Sequence, residues 1–304
     1  MSADGILVVD KPRDQTSRSL TTAVARLFQE KRAGHLGTLD PLATGVLPIL
    51  LGKATRLARF LEGHDKEYRA IVRLGQETTT WDAAGELVAE SSLAGLAPEA
   101  VEEAVKSFRG EIEQVPPMHS ALKRGGQPLY RLARKGEEVP RPARRVKIQE
   151  LKVEKVELPE VVLRVVCSPG TYLRSLAHDL GERLGVGGHL AGLRRLRSGG
   201  FTLAQAAPGE ALELETAARA LIPLRECLPD FPVVAVTPEE ERALCQGQAI
   251  PGWERELKPG GHYRLVREDL VAIGQARERE GRIWIFPRPV LADRAWQEGR
   301  SMLR

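Results

Sequence analysis

Asp40 is the residue of this chain best placed to do chemistry. It lies in Gly34-His35-Leu36-Gly37-Thr38-Leu39-Asp40-Pro41-Leu42-Ala43-Thr44-Gly45, a segment of glycines, small residues and one proline around a single carboxylate. Glycines let another molecule's backbone come close, and loops of this kind concentrate function. Pro41 biases Asp40 toward an extended backbone. A carboxylate held on a stiff turn suits a nucleophile or a general base. An Asx-Pro turn is the plain alternative. The flanking glycines and His35, five residues upstream, favour a site.

Other candidates must be positioned around it. Tyr68 lies in an alternating stretch, with Tyr68, Ala70, Val72 and Leu74 on one face and Glu67, Arg69, Ile71 and Arg73 on the other, so a strand is expected over Tyr68–Leu74. Arg174 falls in a predicted helix over Thr171–Leu184, off the stripe of Leu173, Leu176, Ala177, Leu180 and Leu184. Further helices are predicted at Ser17–Glu30, Ala54–Leu61 and Pro98–Phe108. Strands are predicted at Gly5–Val9, Glu111–Val115, Val146–Val156 and Val161–Cys167, with a loop from Gly75 onwards. This order lacks regular βαβ alternation and implies an α+β class with a mixed, mainly antiparallel sheet. Prolines 223, 229 and 232 suggest a boundary near residue 230, giving segments 1–230 and 231–304. The second should hold one short helix, opened by a capping box at Thr237 and Glu240, and several short strands forming a small β-barrel.

The 304 residues carry 42% hydrophobics, enough for a substantial core, and a net charge of +4 with pI near 9.0. The charge is uneven. Between Lys123 and Lys147 lie nine Lys or Arg against two acids, Glu137 and Glu138. That one-sidedness points to a polyanionic partner. Cys167, Cys227 and Cys245 show neither a disulfide framework nor metal spacing, and the histidines show no ligand spacing, so no metal is expected. Neither a signal-peptide pattern nor an apolar run of membrane-spanning length is present, so a cytoplasmic location is expected. Gly52-Lys53 is not a phosphate loop, because Ala54 replaces the hydroxyl residue and the glycine spacing is wrong.

The Gly34–Leu47 segment resembles the active-site segment of the TruB family, bacterial tRNA pseudouridine-55 synthases. Three more stretches agree, in order: Lys66-Glu67-Tyr68; Gln114-Val115-Pro116-Pro117-Met118-His119-Ser120-Ala121-Leu122-Lys123, the start of an RNA-binding insertion over about 115–147; and Cys167-Ser168-Pro169-Gly170-Thr171-Tyr172-Leu173-Arg174-Ser175-Leu176-Ala177. The last is followed by Gly188-His189-Leu190-Ala191-Gly192-Leu193-Arg194-Arg195-Leu196-Arg197-Ser198-Gly199.

The resemblance implies a pseudouridine synthase fold with a C-terminal PUA-like RNA-binding barrel. It implies isomerisation of uridine to pseudouridine at position 55 in the T-loop of tRNA by base flipping, with no cofactor. Asp40 is then the catalytic nucleophile, Arg174 the partner that keeps it ionised, and Tyr68 the ring that stacks on the base and whose hydroxyl could take the C5 proton. His35 would fill the gap left by the flipped base, and Leu193 would wall the pocket. Lys66, Lys123, Arg124, Arg194, Arg195 and Arg197 would contact RNA. The partner is tRNA, with no membrane or protein partner and a monomeric chain. His119 departs from the family's usual Tyr or Phe. Thr79 and Trp81 stand in a region that is normally more acidic, although Asp82 is retained. Two alternatives stay open: a synthase with a different or guide-directed RNA target, and an RNA-folding protein without catalysis.

Overall fold

The computed structural model describes residues 3–118, 120, 123–124, 127–129 and 139–292. An eleven-stranded sheet dominates it. Its main path runs through Ala207–Pro208, Gly5–Lys11, Thr44–Leu51, Gly188–Ser198, Lys66–Leu74, Glu160–Cys167, Arg144–Glu157 and Gly110–Gln114. Most joins are antiparallel. Gly188–Ser198 pairs in parallel with Thr44–Leu51, placing Arg195 opposite Gly45. On its other side the same strand runs antiparallel to Lys66–Leu74, with Arg195 opposite Tyr68. One central strand therefore joins the Asp40 segment to the Tyr68 segment.

Local sequence explains the helices beside the sheet. Ser17–Leu27 is capped by the Thr16 side chain, which accepts from the Ser19 amide, and it buries Leu20 and Val24. It ends three residues before the predicted Glu30. Leu173–Leu184 buries Leu173, Leu176, Ala177 and Leu180 of the expected stripe, leaves its last member Leu184 half-buried, and also buries Arg174. Ala54–Leu61 divides into a 3-10 turn, Gly52–Leu57, and a single α turn, Ala58–Leu61. The expected loop after Gly75 contains a hairpin, Gln76–Thr78 with Leu87–Glu90.

One apolar cluster sets the geometry of the site. Leu39 and Ala43 from the Asp40 loop, Tyr68 and Ala70 from the strand, and Leu173, Leu176 and Leu180 from the helix pack together. Each buried leucine contributes about 2 kcal/mol of apolar burial. The same contacts that hold the fold therefore hold three segments in fixed register.

A curled five-stranded sheet follows, ordered Val233–Ala235, His262–Val266, Leu270–Arg279, Arg282–Val290 and Ile250–Pro251, a half-barrel. Its helix Pro238–Cys245 has the predicted capping box at Thr237 and Glu240. Leu270, Ile273 and Leu291 pack with Ile6, Val8, Leu50 and Phe201, so the two sheets share a core. Arg56 and Arg59 add hydrogen bonds to the Val290 and Arg288 carbonyls. Among the described residues no helix is long and apolar enough to cross a membrane.

Candidate active site

The Asp40 loop is tied down on both sides of the carboxylate. The Ser17 hydroxyl donates to the Leu39 carbonyl at 2.8 Å and accepts from the Leu39 amide at 2.9 Å. The buried Lys11 ammonium donates to the carbonyls of Ala43 at 2.7 Å and Pro41 at 3.2 Å. Burial pushes the Lys11 pKa down from 10.5 to about 8, against the pull of Asp14 and Asp40. Two glycines make room. Gly45, at φ +102, lies so close to the Arg195 backbone that any side chain would collide with it. Gly37, at φ +69, faces the Arg195 guanidinium, and both values favour glycine.

Around Asp40 opens a cavity of about 470 Å³. His35, Asp40, Lys66, Tyr68, Arg174 and Leu193 all line it, as do Tyr172 and Arg195. The pairing expected of Asp40 is present: Arg174 Nε lies 3.0 Å from Asp40 Oδ2. Arg174 is 5% exposed in its side chain and Asp40 37%, so the pair has a buried cation and a carboxylate that reaches the opening. Asp82 is a second carboxylate on the same guanidinium, with Oδ2 at 3.7 Å from Nε.

Arg174 does pull the Asp40 pKa down, as expected of the pair, but it does not set the net direction. Burial raises the Asp40 carboxyl above its ordinary value; Arg174 pulls it down, Asp82 pushes it up, and the net direction is upward. Sharing Arg174 with Asp82 limits what the cation can do for Asp40.

Tyr68 is buried, with its hydroxyl hydrogen-bonded to the Arg195 side chain. Burial pushes the phenol above the ordinary tyrosine range. Both ring nitrogens of His35 meet hydroxyls, Nδ1 that of Thr21 at 3.1 Å and Nε2 that of Thr38 at 3.2 Å. Burial, then Arg195, lowers the His35 pKa, which favours a neutral ring. Lys66 donates to the carbonyls of His64 at 2.6 Å and Glu62 at 3.0 Å, and its pKa is lowered chiefly by burial.

The three arginines expected on RNA separate. Arg195 is 1% exposed and spends its donors on the Val46 carbonyl at 2.6 Å, the Leu36 carbonyl at 3.4 Å and Tyr68. It has no reach to a phosphate in solvent, and that expectation is withdrawn. Arg194 and Arg197 lie outside the cavity lining and carry acid partners, Asp10 at 2.7 Å and Glu67 at 3.4 Å. Lys123 and Arg124 form a two-residue strand against Gln127–Pro128. Their side chains, and His119, lie outside the described residues. No group of three His, Cys, Asp or Glu that could hold a metal occurs among the described residues.

Sequence reasoning missed Lys11, Asp82 and Arg195 as parts of the site. Asp82 had a signal, its retention amid departures. Lys11 had none, because a lysine after a strand reads as solvated surface.

Comparison with known proteins agrees with this geometry. The N-terminal domain of TruB family pseudouridylate synthases matches residues 25–173, and the C-terminal domain of tRNA pseudouridylate synthase B matches 174–229. A tRNA pseudouridine synthase B of Syntrophotalea carbinolica is 45% identical over 82% of this chain and 81% of its own. That of Pseudomonas aeruginosa is 43% identical over 93% and 94%. Among solved structures, a Cbf5-Nop10-Gar1 complex matches at TM-score 0.71 and 28% identity, covering 97% of this chain and 87% of its counterpart. Family profile, relatives and site geometry converge, and the chain belongs to the TruB family of pseudouridylate synthases.

Proposed function

We propose that the enzyme isomerises uridine to pseudouridine at position 55 in the T-loop of tRNA, with Asp40 as nucleophile and Tyr68 and Arg174 as its catalytic partners. The tRNA pseudouridine synthase activity is that of its family and its bacterial relatives. The observation that carries the residue roles is the Asp40–Arg174 contact of 3.0 Å beside a cavity walled by Tyr68 and Leu193.

The reaction breaks the N1–C1′ bond and forms a C5–C1′ bond. A proton leaves C5 and one is gained at N1, with no net redox change and no external group. Attack on the base or on the sugar starts from the same requirement, an ionised and aimed carboxylate. Arg174 aims it. The raised pKa makes Asp40 a stronger base and nucleophile once ionised. The raised Tyr68 pKa favours its ring as a stacking platform over a phenolate proton acceptor. His35, fixed between two threonines, supports a role at the gap left by the flipped base, whose extrusion costs a few kcal/mol.

Lys66, Lys123, Arg124, Arg194 and Arg197 are proposed as RNA contacts, Arg194 and Arg197 as already oriented by their acids. We assign residues 1–230 to the catalytic domain and 231–304 to a PUA-like RNA-binding domain, in a cytoplasmic monomer that needs no protein partner.

The test is pseudouridine mapping on unmodified tRNA transcripts. Wild type should give product at position 55, and Asp40→Asn should slow it by about 10⁴-fold or more while retaining tRNA binding. Turnover by the Asn variant would remove Asp40 as nucleophile. Product outside the T-loop would overturn the assigned specificity.

A further inference from the structure

Trp81 is an unexpected residue in its place. Its φ is +61, the left-handed region that bulky side chains rarely occupy. The turn is fixed by backbone bonds: the Trp81 amide donates to the Thr78 carbonyl at 3.2 Å, and the Trp81 carbonyl accepts from Leu190 at 3.0 Å. Ala83 donates back to Leu190 at 2.9 Å. A side chain that strains its own backbone needs an offsetting contact. Trp81 has one: its ring stacks flat on His178, with centroids 4.2 Å apart and planes 7° from parallel. The Arg141 guanidinium lies 5.5 Å from the same ring centroid and donates to the Pro116 carbonyl at 3.1 Å. Arg141 and Pro116 stand at the two feet of the basic insertion.

The next residue is Asp82. Thr80 and the Ala84 amide hold its Oδ1 at 2.6 and 3.0 Å, and its Oδ2 faces Arg174. Arg174 and His178 lie four residues apart on one helix, so they are neighbours on consecutive turns. Trp81 and Asp82 thus dock side by side on that helix, one by stacking and one by charge.

We propose that Trp81 is a positioning residue for the reaction: its stack on His178 fixes the Asp82 loop and, through Arg174, the aim of Asp40, and its contact with Arg141 ties that setting to the feet of the insertion. The proposal rests on the catalytic roles given above to Asp40 and Arg174.

Single-turnover rates and tRNA affinities of the full chain test it. Trp81→Gly removes the stack yet keeps a residue at ease with positive φ, and His178→Ala removes the partner. Each should lower the single-turnover rate on the order of tenfold with tRNA Kd unchanged within about twofold. The double variant should be little worse than either single, because both break one contact. Trp81→Phe, which preserves a stacking ring, should restore most of the rate. Unchanged rates in Trp81→Gly and His178→Ala, even with lowered thermal midpoints, would overturn the proposal, as would a rate loss matched by a loss of affinity. Should Trp81→Gly fail to fold, His178→Ala and Trp81→Phe carry the test; failure of all three would make the stack a fold element and also overturn it. Asp40→Asn, run alongside, separates the two readings: its activity would sink the catalytic assignment, whereas the Trp81 series addresses positioning alone.

Discussion

Two buried arginines reach the same cavity and are satisfied in opposite ways. Arg174 meets two carboxylates, Asp40 and Asp82. Arg195 meets the carbonyls of Val46 and Leu36 and the Tyr68 hydroxyl. Arg174 is thus part of a charge balance with one anion too many, which leaves the Asp40 carboxylate available to react. Arg195 is a cation held by dipoles, and it stitches the Thr44–Leu51 strand, the Leu36 loop and the Tyr68 strand into one wall. One arginine serves the reaction and the other serves the scaffold. Charge alone did not determine either role; the partners did.

Arg174→Gln should have the largest effect. It leaves two close carboxylates without their cation, and the rate should fall about 10³-fold, roughly 4 kcal/mol of transition-state stabilisation. The sign of the pH effect follows from the influences on Asp40. Arg174 is the strongest one lowering its pKa, so its loss moves that pKa further up. The acid limb of the rate profile, where activity is lost as Asp40 protonates, should shift to higher pH. Single-turnover rates across a pH series check both. An unshifted limb would mean that Arg174 does not set the ionisation of Asp40.

Arg195→Met should invert the pattern. It leaves two buried carbonyls and the Tyr68 hydroxyl short of donors, a stability loss of about 3 kcal/mol. The rate of the molecules that remain folded should fall only about tenfold. Denaturant midpoints and single-turnover rates separate the two effects. A rate loss as deep as that of Arg174→Gln would break the comparison and place Arg195 in the chemistry.

The sequence made one of these arginines legible and disguised the other. The Asp40 loop stood out because glycines and His35 surround its one carboxylate, and the Arg174 helix because its leucine stripe is regular. The Gly188–Ser198 strand escaped detection. It lies in the middle of the sheet, interrupted by Gly192 and by register shifts at Leu190/Gly192 and Arg195/Arg197, so alternation never develops. Without that strand, Arg194-Arg195-Leu196-Arg197 reads as a basic surface. Burial of Arg195 is a tertiary fact: it depends on Gly45, 150 residues away in sequence, lacking a side chain. Asp82 stood out only as a retained acid; nothing local announces which cation a loop aspartate will meet.

Lys11 offers the smallest and most discriminating change. Like Arg195 it is a buried cation bonded to carbonyls, but besides that of Pro12 these carbonyls, of Pro41 and Ala43, belong to the Asp40 loop itself. It therefore tests whether scaffold cations influence the reaction by holding the nucleophile. Lys11→Met should slow the rate about tenfold through looser placement of Asp40, without the deep loss of Arg174→Gln. Its stability signature is distinct. The folded pKa of about 8 lies below 10.5, so below pH 8 both states are protonated and the cost of burying the charge is fully present. Between those values the folded protein sheds a proton that the unfolded chain keeps, and this group's contribution to stability rises with pH. The Met variant should lose that rise, read as a smaller difference between denaturant midpoints at about pH 7 and about pH 9 than wild type shows. An identical pH dependence would mean that Lys11 remains charged and solvated. An unchanged rate would mean that the clasp on Pro41 and Ala43 is not what keeps Asp40 in place.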